Sequence, residues 1–373
     1  MGRHPRFLSA CALSLAAAAC GDPVLVVGDA PGSMRIVAGV GDSTGTRVDP
    51  VATRTLLTDP TAPVTDSEGL LYFADQGAAR VVNGVERPFG RVFVVASDGR
   101  LDVLVPDGGC VGAVCLERPV AMALGPGGTL LIADESGNRI LSLDPATGAL
   151  TVIAGTGAAQ SSPDGTPASE ANLNRPGGVV TGGDGAIYVT ERASHRVRVI
   201  RDGVLGTVAG TGTAGSTGDE GPALLARFDA PSGLAIAGDV LYVADEANQR
   251  VRAIDLTDGS IRRVAGTGVA GGAGDGGAAS GAQLDGPRAL AVTPDRLLLY
   301  IAERTGHRVR VVNLATGAIA TFAGTGDPEF LGAGRPAGLT GLDSPSGLAM
   351  SDHGFLHIAD SGNAVVWRTT IRL

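Results

Sequence analysis

The feature that most constrains this chain is a unit that repeats six times along it. Two markers recur in step. The first is a proline that opens an apolar run, and its copies lie 55 to 58 residues apart: Pro63, Pro119, Pro176, Pro231, Pro287 and Pro345. The second is an acidic residue that closes the next apolar run: Asp75, Asp134, Glu191, Asp245, Glu303 and Asp360. Because two unrelated markers keep the same phase, we interpret the chain as a tandem repeat.

Each copy contains four runs of strand length. Residues 230–268 show them most clearly, as GLAIA, VLYVAD, RVRAID and IRRVAG, with breaks of hairpin length between them. One such meander cannot bury both of its faces, so the copies must pack face to face in a closed ring. The sequence therefore predicts an all-β fold, a six-bladed β-propeller of four-stranded antiparallel blades.

The two ends of the chain predict how the ring closes. Residues 34–41, MRIVAGVG, match the fourth strand of the other units, for example RRVAGTG at 262–268, whereas the last unit ends without such a segment. We expect the N-terminal strand to complete the last blade, which removes exposed sheet edges. The propeller then spans residues 34–373. The preceding residues 21–33 contain Gly, Pro and Asp and are typical of a tether.

The first twenty residues are typical of a secretory signal. Arg3 and Arg6 precede an apolar run at 7–19 that is too short to span a membrane. The run AAAC at 17–20 resembles a bacterial lipobox, so we predict a lipoprotein-type signal peptide at 1–20 and lipidation of Cys20. The alternative is an ordinary cleaved signal. In both cases we expect an extracytoplasmic protein, either membrane-anchored by its lipid alone or periplasmic or secreted. In that compartment Cys110 and Cys115 are expected to form a local disulfide.

Several segments resemble one known family. The run PSGLAIAGDVLYVADEANQRVRA at 231–253, the VAGTG that follows it, and the loops at 215–231 and 272–287 are similar to NHL repeats. The resemblance covers residues 34–373. It implies a six-bladed NHL-type propeller, a scaffold that serves mainly for binding, with a few lyases and lactonases on related propellers.

Arginines accompany the closing acids in five of the six units. Recurrence in almost every blade is typical of a structural role, so we interpret these residues as ion pairs that fix the hairpin between the second and third strands. The predicted pairs are Asp75 with Arg80, Asp134 with Arg139, Glu191 with Arg196, Asp245 with Arg250, and Glu303 with Arg308.

A second set of polar residues lies two positions before each marker proline. Its members are Thr61, Glu117, Asn174, Asp229, Asp285 and Asp343, which we call the collar. Such side chains commonly bond backbone amides where a strand begins. Alternatively, they form a ring of oxygen ligands at the channel mouth, the low-specificity ligand site that the sequence predicts. We expect no cofactor and no catalytic metal there, and at most a weakly held, hydrated Ca²⁺. Two equivalent histidines, His195 and His307, are expected to be turn residues rather than metal ligands.

The innermost strands limit the functions that the chain supports. They read AMALG, GVVTG, GLAIA, ALAVT and GLAMS, without a carboxylate, amide or imidazole. A net charge of −9 without a basic stripe argues against nucleic acid as a partner. We therefore expect a monomeric, non-catalytic binding or scaffold propeller. Its ligand, a protein, peptide or glycan, would bind the face that carries the long inter-blade loops. The alternatives are a metal-dependent lyase or lactonase acting at the channel mouth and a structural component of the cell envelope or of adhesion.

Overall fold

The computed structural model describes residues 32–41, 49–77, 80–82, 85–87, 90–106 and 109–371. The predicted signal peptide, Cys20 and all but the last two residues of the predicted tether lie outside the described residues. Within these ranges no helix has the length and apolar character needed to cross a membrane.

Six four-stranded antiparallel sheets form the blades of a ring, as the repeat predicts. From the innermost strand outward, the strands are Pro60–Thr65, Leu71–Asp75, Arg91–Val95 and Leu101–Val105 in blade 1; Pro119–Leu124, Leu130–Asp134, Arg139–Leu143 and Leu150–Ala154 in blade 2; Pro176–Thr181, Ile187–Glu191, Arg196–Arg201 and Val204–Ala209 in blade 3; Pro231–Ala237, Val240–Asp245, Arg250–Asp255 and Ser260–Ala265 in blade 4; Pro287–Val292, Leu298–Glu303, Arg308–Asn313 and Ile319–Ala323 in blade 5; and Pro345–Met350, Phe355–Asp360, Val365–Thr370 and Arg35–Ala38 in blade 6.

Smaller elements lie between these strands. Cys110 and Cys115 face each other across a two-stranded hairpin and form a disulfide. The short strands are Arg80–Val82, Val85–Arg87, Cys110–Val111, Val114–Cys115 and Gly221–Pro222. The 3-10 turns are Ala52–Arg54, Pro126–Gly128, Arg192–Ser194, Ala223–Leu225, Glu246–Asn248, Ala279–Gly281 and Ala337–Leu339.

The N-terminal strand closes the ring, as predicted. It pairs antiparallel with the third strand of blade 6 and places Ile36 opposite Trp367. Gly39, which follows this strand, has a φ of +88°, and a Cβ on it would lie 2.2 Å from the carbonyl oxygen of Ala364. Glycines at the same position of blades 2 to 5 have the same left-handed φ and the same close approach, namely Gly155, Gly210, Gly266 and Gly324. This close contact explains why an AG pair ends the fourth strand of blades 2 to 6.

The core lies between the blades rather than within one layer. Six clusters of buried apolar residues, one at each interface between neighbouring blades, account for the described core. The second strands are the most buried, because they have a neighbouring blade on both faces. Leu130–Asp134, for example, is buried at every position. This pattern follows from a ring in which each meander covers the next.

The long loops between blades are also part of the packed structure. The loop before blade 4 adds the two-residue strand Gly221–Pro222 to the outer edge of that blade, opposite Ser260 and Ile261. Single bridges cover the outer edges of other blades in the same way: Val51 with Arg100, Pro167 with Val204, Ala278 with Ala318, and Ser33 with Pro336. These loops therefore protect edges that would otherwise be open to pairing with another chain.

Blade 1 begins three residues earlier than the sequence markers indicated. Pro60 lies opposite Asp75, just as Pro119 lies opposite Asp134. The choice of Pro63 as the marker was therefore wrong, because this segment contains two prolines and only strand pairing distinguishes them. The collar position of blade 1 moves with it, from Thr61 to Thr58.

Candidate functional site

The closing acids are structural groups at the end of each second strand. All six are fully buried. Asp134 Oδ1 accepts the backbone N–H of Glu117 at 3.0 Å, and Asp245 Oδ1 accepts that of Asp229 at 2.8 Å. Glu191 and Asp360 accept the equivalent amides of Asn174 and Asp343, at 2.8 and 2.7 Å. These four acids thus fix the entry of the innermost strand in their blades, because each satisfies a backbone donor at that point.

The arginine partners agree with the sequence prediction in only two blades. Asp134 contacts Arg139 at 3.1 Å, and Glu303 contacts Arg308 at 3.4 Å. The partner is instead Arg91 for Asp75, Arg198 for Glu191 at 2.7 Å, and Arg252 for Asp245 at 3.7 Å. The predictions of Arg196 and Arg250 were therefore wrong, whereas the side chain of Arg80 lies outside the described residues.

The reasons are an insertion and the diagonal geometry of paired strands. Arg80 lies in the extra hairpin of blade 1, opposite Arg87. Arg196 and Arg250 lie directly opposite their acids, but their guanidinium groups bind the loop carbonyls of Thr211 and Thr267, each at 3.2 Å. Arg198 and Arg252 lie two residues further along the same strands. Each can reach the closing acid diagonally across the strand pair, and both are fully buried.

Blades 3 to 5 share a triad, with a buried arginine and a buried closing acid, that the sequence analysis missed. Its centre is the diagonal arginine, which also binds an aspartate from the loop before the blade. The distances are 3.0 Å for Arg198–Asp164, 2.8 Å for Arg252–Asp219 and 2.5 Å for Arg310–Asp275. The Asp-Gly or Asp-Glu-Gly step within each long loop is the sequence signal that could have revealed these triads. We call them the acid–arginine–aspartate triads.

Blade 6 replaces this triad with aromatic residues. Trp367 occupies the arginine position and donates from Nε1 to Asp360 Oδ2 at 2.7 Å. Phe330 from the preceding loop packs on the indole, with 5.9 Å between the ring centroids. Burial raises the pKa of Asp360 to about 7, although its hydrogen bonds to Trp367 and Asn363 work against that rise.

Where the structure shows their contacts, each collar residue has a polar side chain beside it. Asn174 donates to Ser194 at 2.9 Å, and Thr305 donates to Asp285 at 2.6 Å. Asp229 and Asp343 lie 3.4 and 3.2 Å from the Nδ1 atoms of His195 and His307. Across the described ranges, no three His, Cys, Asp or Glu side chains come together in a way that could hold a metal ion. The collar as a ligand site remains a prediction.

Thr61 does not belong to the collar. Its hydroxyl is buried inside the first strand of blade 1 and donates to the carbonyl oxygen of Pro119 at 3.0 Å. The residue at the collar position is Thr58, whose backbone N–H donates to Asp75 Oδ1 at 3.0 Å.

His195 and His307 link neighbouring blades. Both have a left-handed φ, 53° and 49°, at the turn between the second and third strands. Their Nδ1 atoms accept the backbone N–H groups of Ala230 and Ser344 in the next blade, each at 3.2 Å. In blades 2 and 4 the side-chain oxygens of Asn138 and Gln249 accept the backbone N–H groups of Arg175 and Gly286 in the next blade. We call these four side chains the latch residues.

A network of charges lies at the mouth of the channel on the face of the inter-blade loops. Arg118 binds Glu135 at 2.9 Å, and Glu135 also binds Arg175 at 2.8 Å. Glu246 binds Arg192 and, at 3.0 Å, Arg288. Arg192 in turn lies 3.5 Å from Glu135, so the ion pairs run continuously from blade 2 to blade 5. We call these six residues the charged belt; the sequence analysis did not identify them.

The belt sets the electrostatics of the mouth. Burial works against ionisation of Glu246, but Arg288 and Arg192 outweigh it and lower the pKa of this carboxyl. Burial, and the nearby charge of Arg288, lower the pKa of Arg192. Gly177 makes room for this arrangement, because a Cβ there would lie 2.6 Å from the Arg192 side chain.

Below the belt the channel is apolar. It encloses 590 Å³ and is lined by the innermost strands, with Arg288 at the belt end and Asp352 at the opposite end. Its walls consist mainly of Val, Ala, Leu, Met and Ile side chains. A cavity of this volume is in the range of small-molecule sites.

Comparison with known proteins supports the repeat assignment. The NHL repeat model matches residues 173–200. NHL repeat-containing protein 2 of Gallus gallus is 27% identical over 266 residues, which cover 63% of this chain and 36% of that protein. The chain thus spans little more than a third of the length of the curated relatives it matches.

Solved structures show the same fold. An auxiliary nutrient binding protein from Bacteroides thetaiotaomicron has a TM-score of 0.63 at 13% identity, covering 90% of this chain and 75% of that one. A gluconolactonase from Xanthomonas campestris has a TM-score of 0.55 at 17% identity, covering 85% of this chain and 87% of that one. Six four-stranded blades, the repeat match and the NHL repeat-containing relatives agree: the chain contains a match to the NHL repeat and folds as a six-bladed β-propeller.

Proposed function

We propose that this protein is a non-catalytic, extracytoplasmic binding propeller whose ligand binds over the channel mouth on the face of the inter-blade loops. The observation that supports this proposal is the charged belt. It has four arginines and two glutamates, so the belt itself carries more positive than negative charge in a chain of net charge −9. Opposite charges at a surface steer and orient a partner.

The exposure of the belt residues indicates the class of ligand. The side chain of Arg175 is 53% exposed and that of Arg118 is 31% exposed, whereas that of Glu135 is 3% exposed. The glutamate thus holds the arginines in place while their guanidinium groups face outward. Because guanidinium groups bind carboxylates with two parallel hydrogen bonds, the mouth suits an acidic peptide or a glycan with carboxylate groups.

The fold alone does not choose between binding and catalysis. The same architecture occurs in a nutrient-binding protein and in a gluconolactonase. The lyase or lactonase alternative requires a bound metal that activates water or polarises a substrate. Metal analysis of protein purified without chelator tests it, and a stoichiometric metal lost on Asp229→Ala or Asp285→Ala would favour that alternative. A structural envelope or adhesion role would require no ligand at the mouth.

Binding of a fluorescein-labelled hexaglutamate peptide tests the binding proposal directly. We expect the Arg118→Ala/Arg175→Ala variant to bind about tenfold more weakly than wild type, or worse, since each lost charged hydrogen bond contributes roughly 1.5–3 kcal/mol. The control variant, Arg262→Ala/Arg263→Ala, removes two exposed arginines from the outermost strand of blade 4. Equal loss in both variants, or binding of hexalysine with the same affinity, would refute a specific acidic-ligand site.

A further inference from the structure

Blade 2 differs from the other five blades in the loop that precedes it. The connection from the fourth strand of one blade to the first strand of the next has 21 residues in five cases, namely 39–59, 155–175, 210–230, 266–286 and 324–344. The thirteenth residue of each of these connections bridges the outer strand of the following blade. The connection before blade 2, residues 106–118, has only 13 residues and therefore lacks the segment that covers the outer strand.

In the five covered blades the loop satisfies the outward backbone groups of the fourth strand. In blade 3 the carbonyl of Leu205 accepts the N–H of Gly165, and the N–H of Leu205 donates to the carbonyl of Thr166, each at 2.9 Å. The carbonyl of Gly203 accepts the N–H of Ala168 at 2.8 Å. A glycine carbonyl accepts a loop amide at the same position of every covered blade: Gly32, Gly99, Gly203, Gly259 and Gly317.

The equivalent groups of blade 2 have no such partners. The strand register makes Gly148 and Leu150 the equivalents of that glycine and leucine of blade 3. Among the described residues, none outside the blade hydrogen-bonds to the backbone of Gly148, Leu150 or Val152. Thr151 and Val152 are exposed, so this stretch is a sheet edge that faces solvent. An edge of this kind is a template for pairing with another strand.

In the described part of the chain, the disulfide hairpin makes no backbone hydrogen bond to this edge. Arg139, which begins the third strand, binds the carbonyl oxygen of Cys115. Its neighbour Ile140 lies opposite Ala154, the last residue of the fourth strand. The hairpin therefore lies beside the end of the fourth strand that leads into the next blade, and the half that begins at Leu150 is left open.

The open edge is also uncharged. In a chain of net charge −9, residues 145–163 contain no Asp, Glu, Lys, Arg or His. The fourth strands of blades 1 and 4, by contrast, carry Asp102 and the pair Arg262 and Arg263. Charged residues on an edge strand are a common device against pairing with a second copy, and blade 2 lacks that device. Two copies of this edge can therefore approach without placing like charges opposite each other.

We propose that two copies of the chain pair through the outer strands of blade 2, in place of the monomer that the sequence analysis expects. The strands run antiparallel about a two-fold axis, the orientation that all five loop segments adopt toward their blades. Leu150 and Val152 lie two residues apart, so their backbone groups point to the same side. Leu150 of one copy exchanges hydrogen bonds with the partner's Val152, and Thr151 lies opposite the partner's Thr151. The two blades then form one eight-stranded sheet in which neither edge is open.

Sedimentation velocity over a range of protein concentrations tests this pairing. Because the contact is confined to one pair of strands and their flanks, we expect the wild-type chain to dimerise with a Kd on the order of 10 µM. Val152→Lys should weaken dimerisation at least about tenfold, since it places a charge on the edge strand. The matched control is Val103→Lys, at the equivalent exposed valine of blade 1, where Val51 covers the edge; it should dimerise like wild type.

A cysteine variant tests the register of the pairing. Thr151→Cys places two thiols opposite each other at a Cα separation of about 4.5 Å, which a disulfide can bridge, so mild oxidation should give a covalent dimer on a non-reducing gel. Ala320→Cys, at the equivalent exposed position of blade 5, should remain mainly monomeric because that edge is covered. A wild-type chain that stays monomeric up to about 500 µM, equal association of Val152→Lys and wild type, or equal cross-linking of the two cysteine variants would overturn the proposal.

Discussion

Blades 3 to 5 and blade 6 use the same strand positions for different chemistry. In blades 3 to 5 a fully buried arginine joins the closing acid to an aspartate of the preceding loop, as Arg252 joins Asp245 to Asp219. In blade 6 the same positions hold Trp367 and Phe330. Aromatic packing and one indole hydrogen bond thus replace two ion pairs around a buried cation.

The difference shows which features the fold requires. In blades 3 to 6 the preceding loop is fastened to the outer half of the blade, and the fastening can be ionic or aromatic, consistent with the replacement of buried ion pairs by apolar groups in other proteins. Blade 6 departs from the repeat at a second place, the row of His357, Arg368 and Arg35. Features that repeat support the ring, whereas those that occur in one blade are free to serve a specific ligand.

The largest expected effect concerns how blade 6 obtains its fourth strand. A chain that begins at residue 42 should lose about 5 kcal/mol or more of unfolding free energy relative to one that begins at residue 32. The deletion removes the fully buried Met34 and Ala38 and opens the edge of Val365–Thr370. Urea denaturation measures the loss. Equal midpoints for the two chains would contradict strand closure as the basis of stability.

An intermediate effect separates the ionic and aromatic fastenings. Arg252→Met should lower the unfolding free energy by about 3–5 kcal/mol, because it leaves two carboxylates without their buried cation. Trp367→Phe should cost about 1–3 kcal/mol, since it removes one hydrogen bond to Asp360 and keeps most of the packing. Parallel urea titrations of the two variants measure the difference. A larger loss for Trp367→Phe would reverse the interpretation.

The smallest effect is a pH dependence. Burial raises the pKa of Asp360 and Asp245 to about 7 and that of Glu303 to about 8. The folded state therefore keeps protons that the unfolded state has released, so the unfolding free energy should fall as the pH rises from about 4 to about 8. Asp360→Asn should flatten this decline below pH 7 by at most about 1.4 kcal/mol per pH unit. The same slope in variant and wild type would argue against an Asp360 that is neutral when buried.

The fold could be predicted because its signals are local and recur. The marker prolines and the VAGTG segments identified the blades and the closing strand without any knowledge of contacts. Blade 1 was misread at Pro63 and Arg80 because an insertion and a second proline break the local pattern, and only strand pairing shows that Pro60 and Arg91 are the equivalents.

The candidate sites could not be predicted in the same way. Side chains of the charged belt come from four blades, and Glu135 meets Arg175 and Arg192 only when the ring has closed. The contrast between His357 and the tyrosines at the same position of other blades is likewise visible in the sequence only after the second strands are aligned in register. The partners of the arginines were a further uncertainty. A long arginine side chain can contact an acid that lies diagonally across the paired strands as well as one directly opposite.

The pairing of Ile36 with Trp367 also has a consequence for how the protein is made. Strand Arg35–Ala38 is synthesised before the strands of blades 1 to 5, and its partner Val365–Thr370 is synthesised after them, so blade 6 cannot form until the segments of the other five blades have been made. Closing such a long loop is entropically costly and slow, and contacts of this range delay folding. During synthesis this strand remains without its partner, and a helper that covers it would protect the nascent ring from pairing with a neighbouring chain.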